Sequence, residues 1–251
     1  MLALILALLG PARAADVFVG AADDVVTAVR QTEDAVAEAR GLAFRRPVPV
    51  AVQTPAEMRA YMEEKLAEDM DPEMIRAMSA SLVVYGLMPP DTDLLALYTA
   101  VLEEQVGGYY EPATGGLYLI QRDQGPAMPE DMVVAHELVH ALQDQHFDLA
   151  QLTDRELDND DVALAIQSLV EGDASYFMLA RLLQGMGQDI DAINLSLFSG
   201  MMDQATTSSE GALDSAPAFL RETLLFPYIQ GMLFAQKVKI RGEGWGAIDG
   251  A

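Results

Sequence analysis

The 251-residue chain contains no cysteine. Disulfide bonds, thiolate metal ligands, cysteine nucleophiles and lipid-modified cysteines are therefore excluded. Histidine is almost as rare, because the chain has only three and all of them lie between positions 136 and 146. Any centre that uses imidazole must be built from this one short segment.

Positive charge is also scarce. The chain has 15 lysines and arginines against 39 acidic residues, which gives a formal net charge of −24. A surface this acidic repels nucleic acids and anionic membranes, so neither is an expected partner. The 51% hydrophobic content is that of a folded protein, and solubility is a sufficient reason for the acidity.

Long apolar runs are missing as well. The run Leu2–Leu9 is too short to span a bilayer, and Ala12–Ala14 after it is typical of a signal-peptidase site. We therefore predict a secretory signal peptide at 1–15, a single domain at 16–251, and export to the periplasm or the extracellular space. No stable transmembrane segment is expected once the signal is removed. Because no lysine or arginine precedes the run, an uncleaved signal anchor is the alternative.

Hydrophobic periodicity and helix-capping residues predict a mostly helical α+β domain. A β-branched strand is expected at 47–53, and aromatic runs around a Pro and Gly turn predict a hairpin within 107–120. The polar, methionine-rich segment 185–216 is interpreted either as a mobile lid or as a surface loop. Besides the histidine segment, helices are expected at 21–40, 54–69, 71–86, 93–106, 162–183 and 217–240.

The histidine segment contains the pattern H-E-x-x-H at His136, Glu137 and His140. On a helix the two histidines lie about 40° apart and Glu137 about 100° from His136, while apolar residues cover the opposite face. This pattern favours one zinc ion bound by both imidazoles, with Glu137 as the general base for a metal-bound water. A surface helix with hydrogen-bonded histidines is the alternative.

Two residues compete to be the third protein ligand. His146 has the spacing of the longer motif HExxHxxGxxH, but Gln143 stands where that motif needs a glycine turn, so a continuous helix would point His146 away. Glu171 lies within an apolar helical segment, where a carboxylate is costly unless it is paired or bound to metal. The small Gly172 beside it would let another helix approach closely. A buried salt bridge of Glu171, or ligation by Glu156, stays open as an alternative.

The segment VVAHELVHALQD resembles the active-site helix of thermolysin-type peptidases, and EGDASY is similar to the glutamate-ligand segment of aminopeptidase N type enzymes. Both belong to the gluzincins. The segments RGLAFRRPVPV, GGYYEPATGGLYLI and FPYIQGMLF extend the likeness to a group of inferred bacterial secreted metallopeptidases. The resemblance implies a zincin-like fold, one zinc on His136, His140 and Glu171, Glu137 as base, and a peptide or protein substrate.

The chain also departs from these families. Thirty residues separate His140 from Glu171, and Ser175 stands where thermolysin-type enzymes have an aspartate. We therefore consider Asp144 and Asp173 as residues that orient the ligands. Candidate donors to the oxyanion of the transition state are His146, Tyr109, Tyr110, Tyr176 and Tyr228.

The hairpin and the acidic connection have their own alternatives. The strand Gly108, Tyr109, Tyr110 is expected either to pair with an extended peptide or to be an ordinary edge strand. Alternate carboxylates between 154 and 161 are weakly similar to a calcium loop, but they lack its glycine and closing glutamate, which favours a solvated linker.

A non-catalytic, zinc-containing peptide-binding or structural module is the rival to a secreted metallopeptidase. Residues 16–40 are also a candidate pro-segment that covers the cleft. We expect homologous proteins to continue beyond the C-terminal GWGAIDGA.

Overall fold

A computed structural model describes residues 21–69, 71–121, 130–154, 159–196, 211–242 and 244–251. The predicted signal peptide, residues 155–158 of the acidic connection with Glu156, and the middle of the proposed lid lie outside these residues. No described helix is both long enough and apolar enough to cross a membrane.

The described chain is a mostly helical α+β structure, as the sequence predicts. The strands are β1 (Val50–Gln53), β2 (Gly108–Glu111) and β3 (Gly116–Ile120). The helices are α1 (Asp23–Arg40), α2 (Pro55–Asp69), α3 (Pro72–Val84), α4 (Leu94–Gln105), α5 (Glu130–Phe147), α6 (Leu149–Asp154), α7 (Asp160–Gly185), α8 (Ala212–Ser215), α9 (Ala218–Arg241) and α10 (Gly246–Asp249), with a 3-10 turn at Ile190–Ala192.

Helix starts follow the capping residues closely. At α2 the Thr54 hydroxyl accepts the Glu57 N–H at 3.2 Å while the Glu57 carboxylate accepts the Thr54 N–H at 2.7 Å, which confirms the predicted capping box. At α7 the Asn159 side chain accepts two backbone N–H groups at 3.1 Å. This cap starts the helix two residues before the predicted position at Val162.

The three strands form one mixed sheet in the order β1-β3-β2. The predicted hairpin is confirmed, because β2 and β3 are antiparallel with Tyr109 opposite Tyr118. Strand β1 pairs in parallel with β3. Strand β1 begins later than predicted because Pro47 and Pro49 have no N–H to contribute to a ladder. The Pro49 carbonyl nevertheless accepts the Leu117 N–H at 2.8 Å.

Helix α5 lies at the centre of the main hydrophobic core. Leu138, Val139 and Ala141 are fully buried and belong to a cluster with residues from α1, the sheet and α7. The apolar face predicted for the histidine helix is thus covered from several sides. Its polar face is left to contact α7.

Helices α7 and α9 cross at direct backbone contact. A Cβ added to Gly172 would lie 2.0 Å from the carbonyl carbon of Gly231, and one added to Gly231 would lie 1.9 Å from the Ser168 oxygen. No side chain fits in that space, so both positions require glycine. The close helix approach predicted beside Glu171 is confirmed.

Candidate metal centre

The imidazoles of His136 and His140, from α5, meet the carboxylate of Glu171, from α7. The two histidine Nε2 atoms lie 3.0 Å apart, and Glu171 Oε2 lies 3.1 Å from His136 Nε2 and 3.4 Å from His140 Nε2. All three side chains are buried. The group could hold one metal ion, and it is the only such cluster found among the described residues.

The spacing of these atoms is that of ligands around a single ion. A tetrahedral zinc ion with bonds of about 2.0 to 2.1 Å spaces its ligand atoms about 3.3 Å apart. Burial by itself would lower the pKa of His140, but the negative charge of Glu171 outweighs burial and raises this pKa. Burial would likewise raise the pKa of Glu171, but the two imidazoles outweigh it and lower this pKa. The cluster therefore favours a positive charge at its centre, whether from protons or from a metal ion.

A glutamine fixes the orientation of His140. The Nδ1 atom of His140 lies 2.9 Å from Gln143 Oε1, while Gln143 Nε2 donates to the Val170 carbonyl at 3.1 Å and to Asp173 Oδ2 at 2.9 Å. Because the amide nitrogen already faces two acceptors, its oxygen faces the imidazole and accepts from Nδ1–H. The neutral ring then presents its Nε2 lone pair to the cluster.

The same network continues to helix α1. Arg40, the last residue of α1, donates to both carboxylate oxygens of Asp173 at 2.7 Å and also pairs with Asp249. Its guanidinium carbon lies 5.0 Å from the centre of the Trp245 ring. Asp173, considered in advance as an orienting residue, thus reaches His140 through Gln143.

Glu137 lies next to the ligands with part of its surface exposed. Its Oε2 accepts the Tyr110 backbone N–H at 2.9 Å. Loss of hydration raises the pKa of Glu137 above its ordinary value, and the neighbouring imidazoles of His136 and His140 oppose this rise. A carboxylate with a raised pKa is suited to accept a proton and then release it.

Tyr228, from α9, is the candidate oxyanion donor that the fold brings to the cluster. Its ring lies 6.2 Å from the His136 ring between centroids, and its hydroxyl is close enough to the Glu171 carboxylate to interact with it. Burial, followed by the negative charges of Glu171 and Glu137, raises the pKa of Tyr228 well above its ordinary value. The phenol therefore stays protonated and remains a donor.

The other candidate donors have partners elsewhere. Helix α5 continues through Gln143, and His146 Nε2 lies 2.9 Å from the Ala43 carbonyl oxygen. The Tyr176 hydroxyl bonds to Asp191. The Tyr109 hydroxyl donates to Gln53 at 3.0 Å.

Asp144 acts on the hairpin and not on the ligands. Its carboxylate accepts from the Tyr110 hydroxyl at 2.7 Å and from the Leu149 backbone N–H at 3.2 Å. The bond between the Tyr110 hydroxyl and Asp144 links β2 to α5. The backbone N–H of the same tyrosine donates to Glu137. Tyr110 is therefore anchored at two points beside the centre.

Strand β2 forms an edge of the sheet, and it is packed tightly against α5. A Cβ on Gly107 or Gly108 would lie 3.1 Å from a methyl group of Val133. All four residues of β2 are buried, and the Tyr110 N–H already bonds to Glu137. A peptide that pairs with this strand would have to compete for that donor.

Sequence reasoning did not predict three contacts of the centre: Gln143 with His140, Arg40 with Asp173, and Glu137 with the Tyr110 N–H. Gln143 follows His140 by three residues, a spacing at which helical side chains meet, so the signal was present. Arg40 carries no comparable signal, because its contact with Asp173 spans 133 positions.

No family model, curated protein or solved structure matches the chain. The resemblance to gluzincin peptidases therefore depends on the motifs alone.

Proposed function

We propose that the protein is a zinc-dependent hydrolase with a zincin-like active site that cleaves peptide bonds after export. The convergence of His136, His140 and Glu171 on one point, with Glu137 beside it, is the observation that carries this proposal. Two imidazoles and one carboxylate leave a fourth tetrahedral position for water or substrate. Zinc suits this donor set better than magnesium or calcium, which prefer oxygen ligands.

A bound zinc ion would acidify water and polarise the scissile carbonyl. Glu137 then accepts the proton of the attacking water and transfers it to the leaving amine. The Tyr110 N–H holds one of its carboxylate oxygens, so the orientation of this base is set by the hairpin. The raised pKa of Glu137 favours both the acceptance and the later release of the proton.

Tyr228 would support the same reaction. Its protonated hydroxyl lies near Glu171, and it would donate to the oxyanion that develops on the substrate carbonyl. A neutral phenol is a suitable donor because it stabilises negative charge without neutralising it by proton transfer.

A direct experiment measures metal content and cleavage together. The purified protein is analysed for zinc per chain and incubated with a mixed peptide library, whose products are read by mass spectrometry. We expect one zinc per chain and cleavage that is lost in Glu137→Gln while zinc stays bound. Cleavage that persists in Glu137→Gln would exclude the proposed mechanism.

The rival is a zinc-stabilised module that binds peptides without cleaving them. One observation favours it: the Glu137 carboxylate accepts the Tyr110 N–H at 2.9 Å, so this residue also has a structural role. Zinc binding without turnover in either the wild type or Glu137→Gln would support the rival.

A further inference from the structure

We infer that Arg40 orients the metal ligand His140 through Asp173 and Gln143, so that docking of helix α1 is part of assembling the metal centre. The inference rests on the proposed metal site and adds three positioning residues to it. None of them touches the metal position, and each acts on the next through a buried contact.

The first step is the choice of ligand nitrogen. A neutral imidazole binds metal only through the nitrogen that carries no hydrogen. His140 Nδ1 faces Gln143 Oε1 at 2.9 Å, which keeps the hydrogen on Nδ1 and leaves Nε2 for the ion. If the Gln143 amide flipped, its NH₂ group would face the Nδ1–H of His140, and two donors would meet. The Gln143 oxygen would then face the Asp173 carboxylate oxygen, and two acceptors would meet.

The second step is what prevents that flip. Gln143 Nε2 donates to the Val170 carbonyl and to Asp173 Oδ2, and both are acceptors whatever the metal state. Arg40 donates to both oxygens of the buried Asp173 at 2.7 Å and so pairs this carboxylate on the side away from Gln143. A buried carboxylate without such a partner is strongly disfavoured.

The third step connects the network to α1. Arg40 ends that helix, and Val29 and Val36 of the same helix lie in the core cluster with α5. Asp249 and Trp245 hold the other side of the guanidinium. On this inference α1 is a component of the centre, which is the alternative to the prediction that residues 16–40 are a pro-segment.

Gln145 provides a matched control for Gln143. It is in the same helix and equally buried, at 5% against 7% exposure, and its side chain bonds to the backbone of Arg45 and Arg46 instead of the ligands. Replacing either glutamine by methionine removes buried hydrogen bonds at similar volume. Only the change at Gln143 affects His140.

The test measures zinc affinity by competition with a chromophoric chelator. We expect Gln143→Met to weaken zinc binding by about 10- to 100-fold, the usual effect of losing a partner of a metal-bound histidine. Gln145→Met should bind zinc as the wild type does. In the ¹⁵N-labelled zinc complex, the His140 Nδ1–H resonance should exchange slowly in the wild type and in Gln145→Met, and rapidly in Gln143→Met.

A double-mutant cycle tests the role of Arg40. Arg40→Gln should weaken zinc binding when it is introduced alone. It should cause no further loss in the Gln143→Met background, because the side chain that connects Arg40 and Asp173 to His140 is then absent. Asp249→Asn removes the other ion pair of Arg40 but leaves its two bonds to Asp173, so it should weaken zinc binding less than Arg40→Gln does. If Arg40→Gln does not fold, the two glutamine variants still decide whether Gln143 orients the ligand.

The inference is overturned if Gln143→Met binds zinc as tightly as Gln145→Met, or if Arg40→Gln weakens zinc binding equally in both backgrounds. These results leave the proposed function intact. A wild-type protein that binds no zinc overturns the proposed function, and this inference falls with it.

Discussion

Gly172 and Gly231 meet backbone to backbone where α7 crosses α9, and this contact sets the position of the centre. Glu171 directly precedes Gly172, and Tyr228 lies three residues before Gly231 on the crossing helix. Any side chain at the crossing would separate the two helices. The phenol of Tyr228 would then move away from the Glu171 carboxylate.

The first prediction concerns this crossing. Gly172→Ala should destabilise the protein by about 2 kcal/mol or more, because the added methyl overlaps Gly231 backbone atoms that cannot move aside. It should also weaken zinc binding, because a backbone shift at Gly172 displaces the adjacent ligand Glu171. Gly185, in the same helix, has nothing within 4 Å of an added Cβ, so Gly185→Ala is the control. Urea unfolding that shows equal stability for the two variants would contradict the crossing described above.

The second prediction concerns metal-linked stability. Zinc at about 100 times its Kd should stabilise the wild type by about 2.7 kcal/mol, because only the folded chain presents the three ligands together. Glu171→Gln and His136→Ala should lose most of this gain. His146→Ala should keep it, since His146 bonds to the Ala43 carbonyl. Thermal unfolding with zinc and with a chelator measures the difference, and loss of the gain in His146→Ala would show that the ligand set is wrong.

Local features were predictable because they depend on residues close in sequence. The H-E-x-x-H face, the capping box at Thr54 and the hairpin within 107–120 all follow from local sequence patterns. Glu171 was found because a carboxylate among apolar neighbours needs a partner. Its meeting with His136 and His140 at 3.1 and 3.4 Å is a property of the folded chain.

Features that depend on how helices cross were not predictable in this way. Five side chains were candidate oxyanion donors, and only the α7 to α9 crossing brings Tyr228 to the ligands. The Arg40 to Asp173 pair joins the end of α1 to the middle of α7, and no periodicity relates the two. The parallel pairing of β1 with β3 is equally non-local, since long segments of chain separate the partners.

The third prediction concerns pH. Glu111 is 2% exposed, and burial outweighs its bond from the Ala113 N–H and raises the pKa of its carboxyl to about 7. The folded state therefore binds a proton more tightly than the unfolded state, whose pKa is about 4.5. The stabilisation is complete below pH 4.5 and is lost as pH rises towards 7.

The measurement compares urea unfolding of the metal-free protein at pH 5 and pH 8. The wild type should lose about 2 kcal/mol more than Glu111→Gln between these values, because glutamine does not titrate. Glu73→Gln, at a glutamate whose side chain is 85% exposed, should behave as the wild type. An identical pH dependence in wild type and Glu111→Gln would show that Glu111 is ionised throughout.

The last prediction separates the catalytic role of Tyr228 from a structural one. Tyr228→Phe keeps the ring beside His136 and removes only the hydroxyl, so zinc affinity should change little while kcat falls by about 10²- to 10³-fold, as for loss of one oxyanion donor. KM should be nearly unchanged, because the bond to substrate forms only as charge develops on the carbonyl. The control is Tyr118→Phe, which removes a hydroxyl that contacts Thr114 on the hairpin. This variant should keep full activity. A fall in zinc affinity that matches the fall in kcat would instead mean that the Tyr228 hydroxyl serves to hold Glu171, the carboxylate near it.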